Sequence, residues 1–170
     1  MPPATADRPS TASTDAGFLD AMAALAGGVC IVTALGPDGR PAGFTSTAAM
    51  SLSRTPRLLA IGVDRAGRTL PLIQRSGRFA LNILGAGAEG VARRFAGRTA
   101  DRFAGLEWTP DENGLPLLTR YSSHILACRV EEDVPAGDHR LLIAAVEEIT
   151  PGQDGSTALV HLGRDYHTIQ

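Results

Sequence analysis

Short apolar runs separated by turn-forming residues dominate the last third of this chain. Four such runs, 124–131, 140–148, 158–162 and 166–169, alternate with stretches rich in Gly, Pro and Asp. Few helical patterns stand between them, so consecutive runs are expected to pair as antiparallel neighbours and not through βαβ crossovers. The pattern therefore predicts a mainly β fold that closes into an antiparallel barrel.

The first two thirds of the chain predict more strands, with helices on the outside of the barrel. A β-branched run, 29–35, is followed by a Gly-Pro-Asp-Gly turn and a returning run, 41–46, which together predict a hairpin. Continuous apolar runs predict strands at 58–63 and 79–84. Periodic apolar positions predict three helices. The first carries Phe18, Met22 and Leu25, begins at a cap formed by Thr14 or Asp15, and ends at Gly27-Gly28. It is expected to lie across a sheet. The other two are predicted at 69–76 and 88–95.

Composition limits the number of domains and the classes of function. A chain of 170 residues forms one domain, and residues 1–14, rich in Pro, Ala, Ser and Thr without periodicity, predict a disordered tail before a domain at 15–170. All 16 basic residues are arginine, which excludes a P-loop lysine and a Schiff-base lysine. The net charge of −2 gives no reason to expect a nucleic acid or an acidic membrane surface as a partner.

The cysteine pattern offers no nucleophile or disulfide, and the histidine spacing offers no metal site. Cys30 and Cys128 lie inside apolar runs, which predicts small buried hydrophobic residues and not nucleophiles or a disulfide. The four histidines lack metal-ligand spacing, so no metal site is predicted. No apolar run approaches the roughly 20 residues of a membrane span, and the chain is expected to be soluble and cytoplasmic.

The stretch from Gly43 to Thr69 concentrates groups that suit a nucleotide. Small hydroxyl residues come first, an apolar strand follows, and a turn with Arg65, Gly67 and Arg68 closes it. Hydroxyls and backbone N–H groups suit the carbonyls and nitrogens of a flavin ring, and arginines beside a glycine suit a phosphate. From composition alone, an ordinary Ser/Thr-rich turn beside solvated arginines is the simpler interpretation.

Nine pieces of the chain, in order, resemble the flavin reductases of the FMN-binding split-barrel type. These proteins are the small reductase components of two-component flavin monooxygenases. The matching pieces are 28–33, 43–48 with Ser51, 64–65, 77–82, 92–97, 102–108, 128–130, 137–139 and 163–167. The resemblance implies an antiparallel Greek-key split barrel with flanking α-helices that forms a homodimer.

The same resemblance implies an activity. It is hydride transfer from NADH or NADPH to FMN or FAD, with the reduced flavin passed to a partner monooxygenase. Such chemistry needs orientation of two cofactors and no protein acid, base or nucleophile. Two alternatives stay open: a single-component flavoprotein that reduces its own substrate, and a non-catalytic flavin-binding module.

Particular residues receive roles from the resemblance. The isoalloxazine or ribityl is expected beside Thr45, Ser46, Thr47, Ala48 and Ser51, and the ribityl and phosphate beside Asp64, Arg65, Ala66, Gly67, Arg68 and Thr69. The distal part of the cofactor is expected beside Arg98 and Thr99, and the nicotinamide beside His139 and Tyr166, with His139 as the candidate catalytic residue. Many members have Asn where this chain has Asp64, and often serine where it has Gly67. The phosphate is therefore expected to depend more on Arg68 and on backbone N–H groups.

One motif points elsewhere. Residues 85–90 spell G-x-G-x-x-G between a predicted strand and a predicted helix, with Glu107 about 20 residues further on, as in dinucleotide-binding folds. That motif works in a parallel sheet with helices on both faces, which one crossover helix does not build. We therefore interpret these glycines as a flexible strand-to-helix turn.

Overall fold

The computed structural model describes residues 15–99, 101–155 and 157–169, and about half of them lie in β-strands. The predicted tail, 1–14, lies outside the described residues. The helices are α1 (Asp15–Ala23), α2 (Leu70–Ser76) and α3 (Glu89–Ala96), and the strands are β1 (Gly27–Gly28), β2 (Cys30–Leu35), β3 (Pro41–Ser46), β4 (Ala49–Ser53), β5 (Leu58–Asp64), β6 (Arg78–Leu84), β7 (Thr109–Pro110), β8 (Pro116–Leu117), β9 (Ser122–Ala136), β10 (His139–Pro151), β11 (Ala158–Leu162) and β12 (Asp165–Ile169).

Seven strands form one antiparallel sheet in the order β3-β2-β6-β9-β10-β5-β4. Its two edge strands, β3 and β4, are joined by Thr47 and Ala48 alone, so their nearest ends lie at most about 11 Å apart. The sheet must therefore curl until its edges approach each other, which gives a barrel with an open seam. The predicted mainly β, antiparallel split-barrel fold is confirmed.

Strand β2 is buried on both faces, which explains its unbroken apolar run. Val32 packs inside the barrel with Ile61 and Phe79. Its neighbour Ile31 points to the opposite face, where α3 covers the sheet with Phe95. Alternation along a strand therefore assigns successive side chains to two separate cores.

The two cysteines are free and buried, as predicted. Cys30 and Cys128 both belong to the core inside the barrel. Burial raises the pKa of each thiol to about 12, and the neighbouring Glu147 adds to the effect at Cys128. Both side chains are therefore protonated and unreactive near neutral pH.

A buried asparagine joins three parts of the chain. The Asn82 Nδ2 donates hydrogen bonds to the Ile31 carbonyl at 3.0 Å and to the Thr33 hydroxyl oxygen at 3.1 Å, and its Oδ1 accepts one from the Leu118 N–H at 2.8 Å. Thr33 in turn donates to the Pro116 carbonyl at 2.6 Å. The loop that leads into β9 is thereby fastened to β2 and β6.

Helix α1 forms as expected but does not lie across the sheet. Phe18 and Met22 keep 60% and 47% of their surface exposed, and no residue of the helix is buried. Its end is held instead by the β11–β12 turn, where the Gly163 N–H donates to the Ala23 carbonyl at 2.7 Å. The apolar spacing predicted that a helix forms here, but the helix ends at Ala23, before Leu25, and Gly27–Gly28 forms β1. The prediction of its packing was also wrong.

In the glycine motif at 85–90, a backbone N–H group is hydrogen-bonded to a carboxylate of the protein itself. Strand β6 leads through a 3₁₀ turn (Ala86–Ala88) into α3, and the Gly87 N–H donates to the Asp154 Oδ2 at 3.0 Å. A side chain at Gly85 would place a Cβ 2.3 Å from the Asp154 Cγ, so this position must be glycine for the carboxylate to approach. The sheets are antiparallel at every described pairing, so the described residues do not form the parallel sheet on which a dinucleotide motif depends.

Candidate functional site

A cavity of about 530 Å³ lies between β3 with the Thr47–Ala48 connection that follows it, β5 with its following loop, and α3. We call it the main cavity. Two predicted segments, 45–48 and 66–69, line it from opposite sides, and Asp64, Arg98 and His139 complete the set of predicted residues that reach it. The structure thus brings most of the predicted site together in one space.

The pairing of β5 with β10 places the histidine in this cavity. His139 lies directly opposite Asp64 in the register, although the two are far apart along the chain. A Cβ on Gly62 would lie 3.3 Å from the Ala48 Cβ and 3.9 Å from the His139 Cδ2, so this glycine leaves the space between them open. The histidine and the flavin-side loops therefore share one cavity, and sequence separation gave no indication of it.

Asp138 orients the imidazole. The His139 Nδ1 lies 2.7 Å from the Asp138 Oδ1. The hydrogen bond from His139 is the main reason that the pKa of the Asp138 carboxyl is below its ordinary value. An ionised carboxylate accepts and does not donate, so Nδ1 carries the hydrogen and Nε2 is left for a ligand.

Two arginines form the positive end of the main cavity. The Arg102 guanidinium donates to the Gly43 carbonyl from Nη1 and to the Gly97 carbonyl from Nη2, both at 2.6 Å. Its Nε is buried and has no partner among the described residues. Arg68 is exposed and donates to the Thr99 carbonyl at 3.3 Å.

The electrostatics of this pair favour an anion. Burial, and then the charge of Arg68, lower the pKa of Arg102 from its ordinary value. Among the ion pairs of the described residues, neither arginine pairs with a carboxylate. Two neighbouring cations without a counterion are suited to a phosphate.

The hydroxyl groups that line the site differ in the hydrogen bonds that they make. The Thr45 hydroxyl donates to the Ala92 carbonyl at 2.6 Å and so holds β3 against α3. The Ser46 hydroxyl oxygen accepts the Ala48 N–H at 3.1 Å, which leaves its own proton free to donate. The buried Thr69 lines the cavity, and its hydroxyl does not cap α2. Ser46 and Thr69 are therefore the hydroxyls best placed for a ligand.

Asp64 shapes the loop as well as lining the cavity. Its Oδ1 accepts the Ala66 N–H at 2.8 Å, and its carbonyl accepts the Gly67 N–H at 3.0 Å. This turn directs Arg68 towards the cavity and Arg65 away from it. Arg65 donates instead to the Gly137 carbonyl, at 3.4 Å.

Four residues that were predicted to contact a cofactor do not line the main cavity. Ser51 is on β4 and lines a separate apolar cavity, because the chain crosses to the far edge of the sheet before reaching it. Arg65 turns towards the β9–β10 turn, and Thr99 contributes only its carbonyl, to Arg68. Tyr166 on β12 packs against His161 and lies under the Arg93 guanidinium, on another face of the molecule.

The sequence matches the flavin reductase like domain over residues 22–170. The chain belongs to this flavin reductase family. The NADH flavin reductase of Kitasatospora aureofaciens is 39% identical over 150 residues, which cover 88% of this chain and 78% of that protein. The reductase component of 4-hydroxyphenylacetate 3-monooxygenase from Thermus thermophilus is 37% identical over 153 residues, covering 89% and 95%.

A solved structure agrees with the assignment. The NADH:FAD oxidoreductase SgcE6 of Streptomyces globisporus C-1027, solved in complex with NAD and FAD fragments, superimposes with a TM-score of 0.83 at 25% identity. The match covers 91% of this chain and 92% of that one. The family prediction made from the sequence motifs is confirmed.

Several residues of this flavin reductase line the site without having been predicted. Phe44, Phe95 and Leu70 form its apolar walls, and Arg102 forms part of its positive end. Arg102 was recognised as part of a matching motif, but nothing in its sequence context shows that the loop after α3 folds back onto Gly43. Only the three-dimensional path of that loop reveals its position.

The residues present fit a flavin mononucleotide. Apolar walls suit a flat ring, free hydroxyls at Ser46 and Thr69 suit its polar edge and ribityl chain, and the orphaned Arg102 Nε lies at the end where a phosphate would be neutralised. Across the described residues, no His, Cys, Asp or Glu group could hold a metal ion. No helix within the described ranges is long and apolar enough to cross a membrane.

Proposed function

We propose that this flavin reductase binds FMN in the main cavity, oxidises NADH there, and passes the reduced flavin to a separate flavin-dependent monooxygenase. The observation that carries the proposal is the lining of the cavity, which combines arginines that form no ion pair among the described residues with the oriented His139. When bound, FMN supplies a ring that accepts a hydride from the nicotinamide.

The residues of this chain bind the flavin and orient it. Arg68 and Arg102 hold the phosphate, Ser46 and Thr69 offer hydroxyls to the ribityl or the ring edge, and Phe95 with the other apolar walls excludes water from the ring. Thr45 keeps β3 against α3 and so fixes the width of the cavity. Rate acceleration then comes from the placement of two cofactors and not from proton transfer by a side chain.

The test is NADH oxidation with purified protein. We expect consumption of NADH in air only when FMN is added, and we expect the flavin to separate from the protein on gel filtration, since a shuttled flavin must be released. Absence of NADH oxidation at saturating FMN would contradict the proposal. Oxidation with a tightly retained flavin would indicate a single-component enzyme instead.

His139→Ala is expected to raise the KM for NADH or slow flavin reduction. The dissociation constant for FMN should stay within about threefold, or roughly 0.65 kcal/mol, because the arginines proposed to hold the phosphate are unchanged in this variant. Stopped-flow reduction of bound FMN and a fluorescence titration with FMN measure the two quantities separately.

Asp138→Asn is the matched variant, since it keeps the imidazole but alters the group that orients it. We expect it to show a smaller defect of the same kind. If His139→Ala changes neither the reduction rate nor the KM for NADH, His139 has no part in nicotinamide binding.

We further propose that the reductase is a homodimer joined through the apolar face around β4. This edge strand exposes Met50 and Leu52 by 58% and 43%, and beside it lies an apolar cavity of about 540 Å³ that Ile149, itself 49% exposed, helps to line. Exposed apolar edge strands are sites of association, and a second copy of this face would bury the strand.

Leu52→Asp is therefore expected to convert the dimer into a monomer at micromolar concentration, as measured by light scattering coupled to gel filtration. The charge would be buried without a partner in the interface. Val134→Asp is the control, because Val134 is 38% exposed but lies on the distal part of β9. A wild-type monomer, or a dimer that survives Leu52→Asp, would contradict the proposed interface.

A further inference from the structure

The barrel is covered at one end and open at the other. Helix α2 follows the end of β5 and covers the first end, because its Leu70 and Ile73 are buried in the core inside the barrel. At the other end, Leu58 and Leu59 at the start of β5 line the apolar cavity of about 540 Å³ beside β4. No helix of the described residues lines this cavity. We call it the barrel mouth.

The walls of the barrel mouth are core side chains that stay partly exposed. Ile83, Leu126 and Val146 pack against the core inside the barrel, yet each is only half-buried and lines this cavity. Leu59 and Leu81 lie deeper, and each is 4% exposed. The mouths of β-barrels are common sites for small ligands, which enter between such side chains. The walls therefore suit the apolar body of a small molecule.

Two arginines give the rim of the barrel mouth a positive charge. Arg54 and Arg57 belong to the turn between β4 and β5, and both are exposed and line the cavity. The Arg57 carbonyl accepts the Val146 N–H at 3.0 Å, which holds this turn against the wall. Neither guanidinium forms an ion pair with a described carboxylate. No Asp or Glu of the described ranges lines the cavity, so only cations lie at its rim.

We infer that the barrel mouth binds a small carboxylate that has an apolar body. The carboxylate lies at Arg54 and Arg57, where charge-assisted hydrogen bonds are available to it. The apolar body enters the barrel and packs against Leu81 and Leu126. A cationic ligand would be repelled at the rim, and a wholly apolar one would leave both arginines without a counterion. The inference goes beyond the proposed function, which places FMN and NADH in the main cavity.

The proposed ligand site is complete within one protomer. Leu52, whose substitution tests the proposed dimer, does not line the barrel mouth. The second copy is proposed to contact the exposed strand β4, whereas the ligand contacts side chains that belong to the core inside the barrel. The two proposals therefore concern different surfaces at this end of the barrel.

Octanoate is the probe for the first measurement, because it joins a carboxylate to an apolar chain. We expect isothermal titration calorimetry to show saturable binding to the purified protein below the concentration at which octanoate forms micelles. From hexanoate to decanoate, each added CH₂ is expected to strengthen binding about fourfold, because it leaves water for an apolar wall. An affinity that does not depend on chain length would overturn the inference, since the charge alone would then account for binding.

The second measurement tests the rim with the double variant Arg54→Glu/Arg57→Glu. We expect octanoate to bind this variant about tenfold more weakly than the wild type, because two cations that attract the carboxylate become anions. 1-Octanol has the same chain without the charge, and its binding should change less than about twofold. Arg120→Glu is the matched control, since Arg120 is exposed but does not line the barrel mouth, and it should leave octanoate binding unchanged.

The absence of saturable octanoate binding to the wild type would overturn the inference. Equal losses of octanoate and octanol binding in the double variant would overturn it too, because the arginines would then act through the fold of the turn. NADH oxidation with FMN should be unchanged in the double variant, since neither arginine lines the main cavity. Failure of the wild type to oxidise NADH would contradict the proposed function alone, so the two failures are distinguishable.

Discussion

FMN is expected to bind Arg68→Ala about 10- to 150-fold more weakly than the wild type, a loss of about 1.5–3 kcal/mol, which is typical of a charge-assisted hydrogen bond. The reason is the position of Arg68 in the lining of the main cavity, where it forms no ion pair with a described carboxylate. Riboflavin, which lacks the phosphate, should bind the variant within about twofold of the wild type. Fluorescence titration with the two flavins measures both constants.

Arg65→Ala is the control for this experiment. Arg65 is also an exposed arginine of the same loop, but its side chain turns towards Gly137 and does not line the cavity. Its removal should change the FMN dissociation constant less than twofold. Equal losses of FMN and riboflavin binding in Arg68→Ala would show that Arg68 acts through the fold of the loop and not through the phosphate.

Asn82→Leu is expected to lower the free energy of unfolding by about 2–4 kcal/mol, although leucine has nearly the same shape. The substitution leaves the Leu118 N–H and the Ile31 carbonyl buried with a lost partner, and each such group costs about 1–3 kcal/mol. Denaturant titration followed by circular dichroism measures the change.

Ser123→Ala provides the comparison for Asn82→Leu. The Ser123 hydroxyl is only half-buried and donates a long bond, 3.3 Å, to the Ile83 carbonyl. We expect it to cost less than about 1 kcal/mol. If Asn82→Leu were no more destabilising than Ser123→Ala, the buried network would contribute little to holding the loop before β9.

Local signals account for the parts of the fold that were predicted correctly. The β2–β3 hairpin is joined by a short Gly-Pro-Asp-Gly turn, so its pairing is decided within 17 residues. Strand β4 was not predicted, because Ala49–Ser53 was interpreted as part of a hydroxyl-rich loop, and its apolar side chains Met50 and Leu52 are exposed. Its pairing with β5 becomes visible only in three dimensions.

The structure brings together two predicted segments that flank a single strand, and their binding of a flavin stays a prediction. The segments around Thr45 and Arg68 were recognised as facing loops of one site, and the structure brings them together. Arg102 and Phe95 were missed, because their position depends on how α3 and its following loop pack on β3. The sequence also gave no indication that His139 lies opposite Asp64 on the neighbouring strand. Pairing between distant strands is determined by the whole sheet and not by either segment alone.

The hydrogen bond between Asp154 and the Gly87 N–H has a consequence for anions in solution. A carboxylate tethered to the same chain is present at an effective concentration in the millimolar range or above, whatever the composition of the buffer. Free phosphate would have to displace this internal ligand before it could reach the turn. The glycine-rich turn therefore joins the Gly152–Asp154 loop to α3 through this hydrogen bond. The Gly87 N–H is already bonded, so it is not available to the nucleotides that the reductase binds elsewhere on its surface.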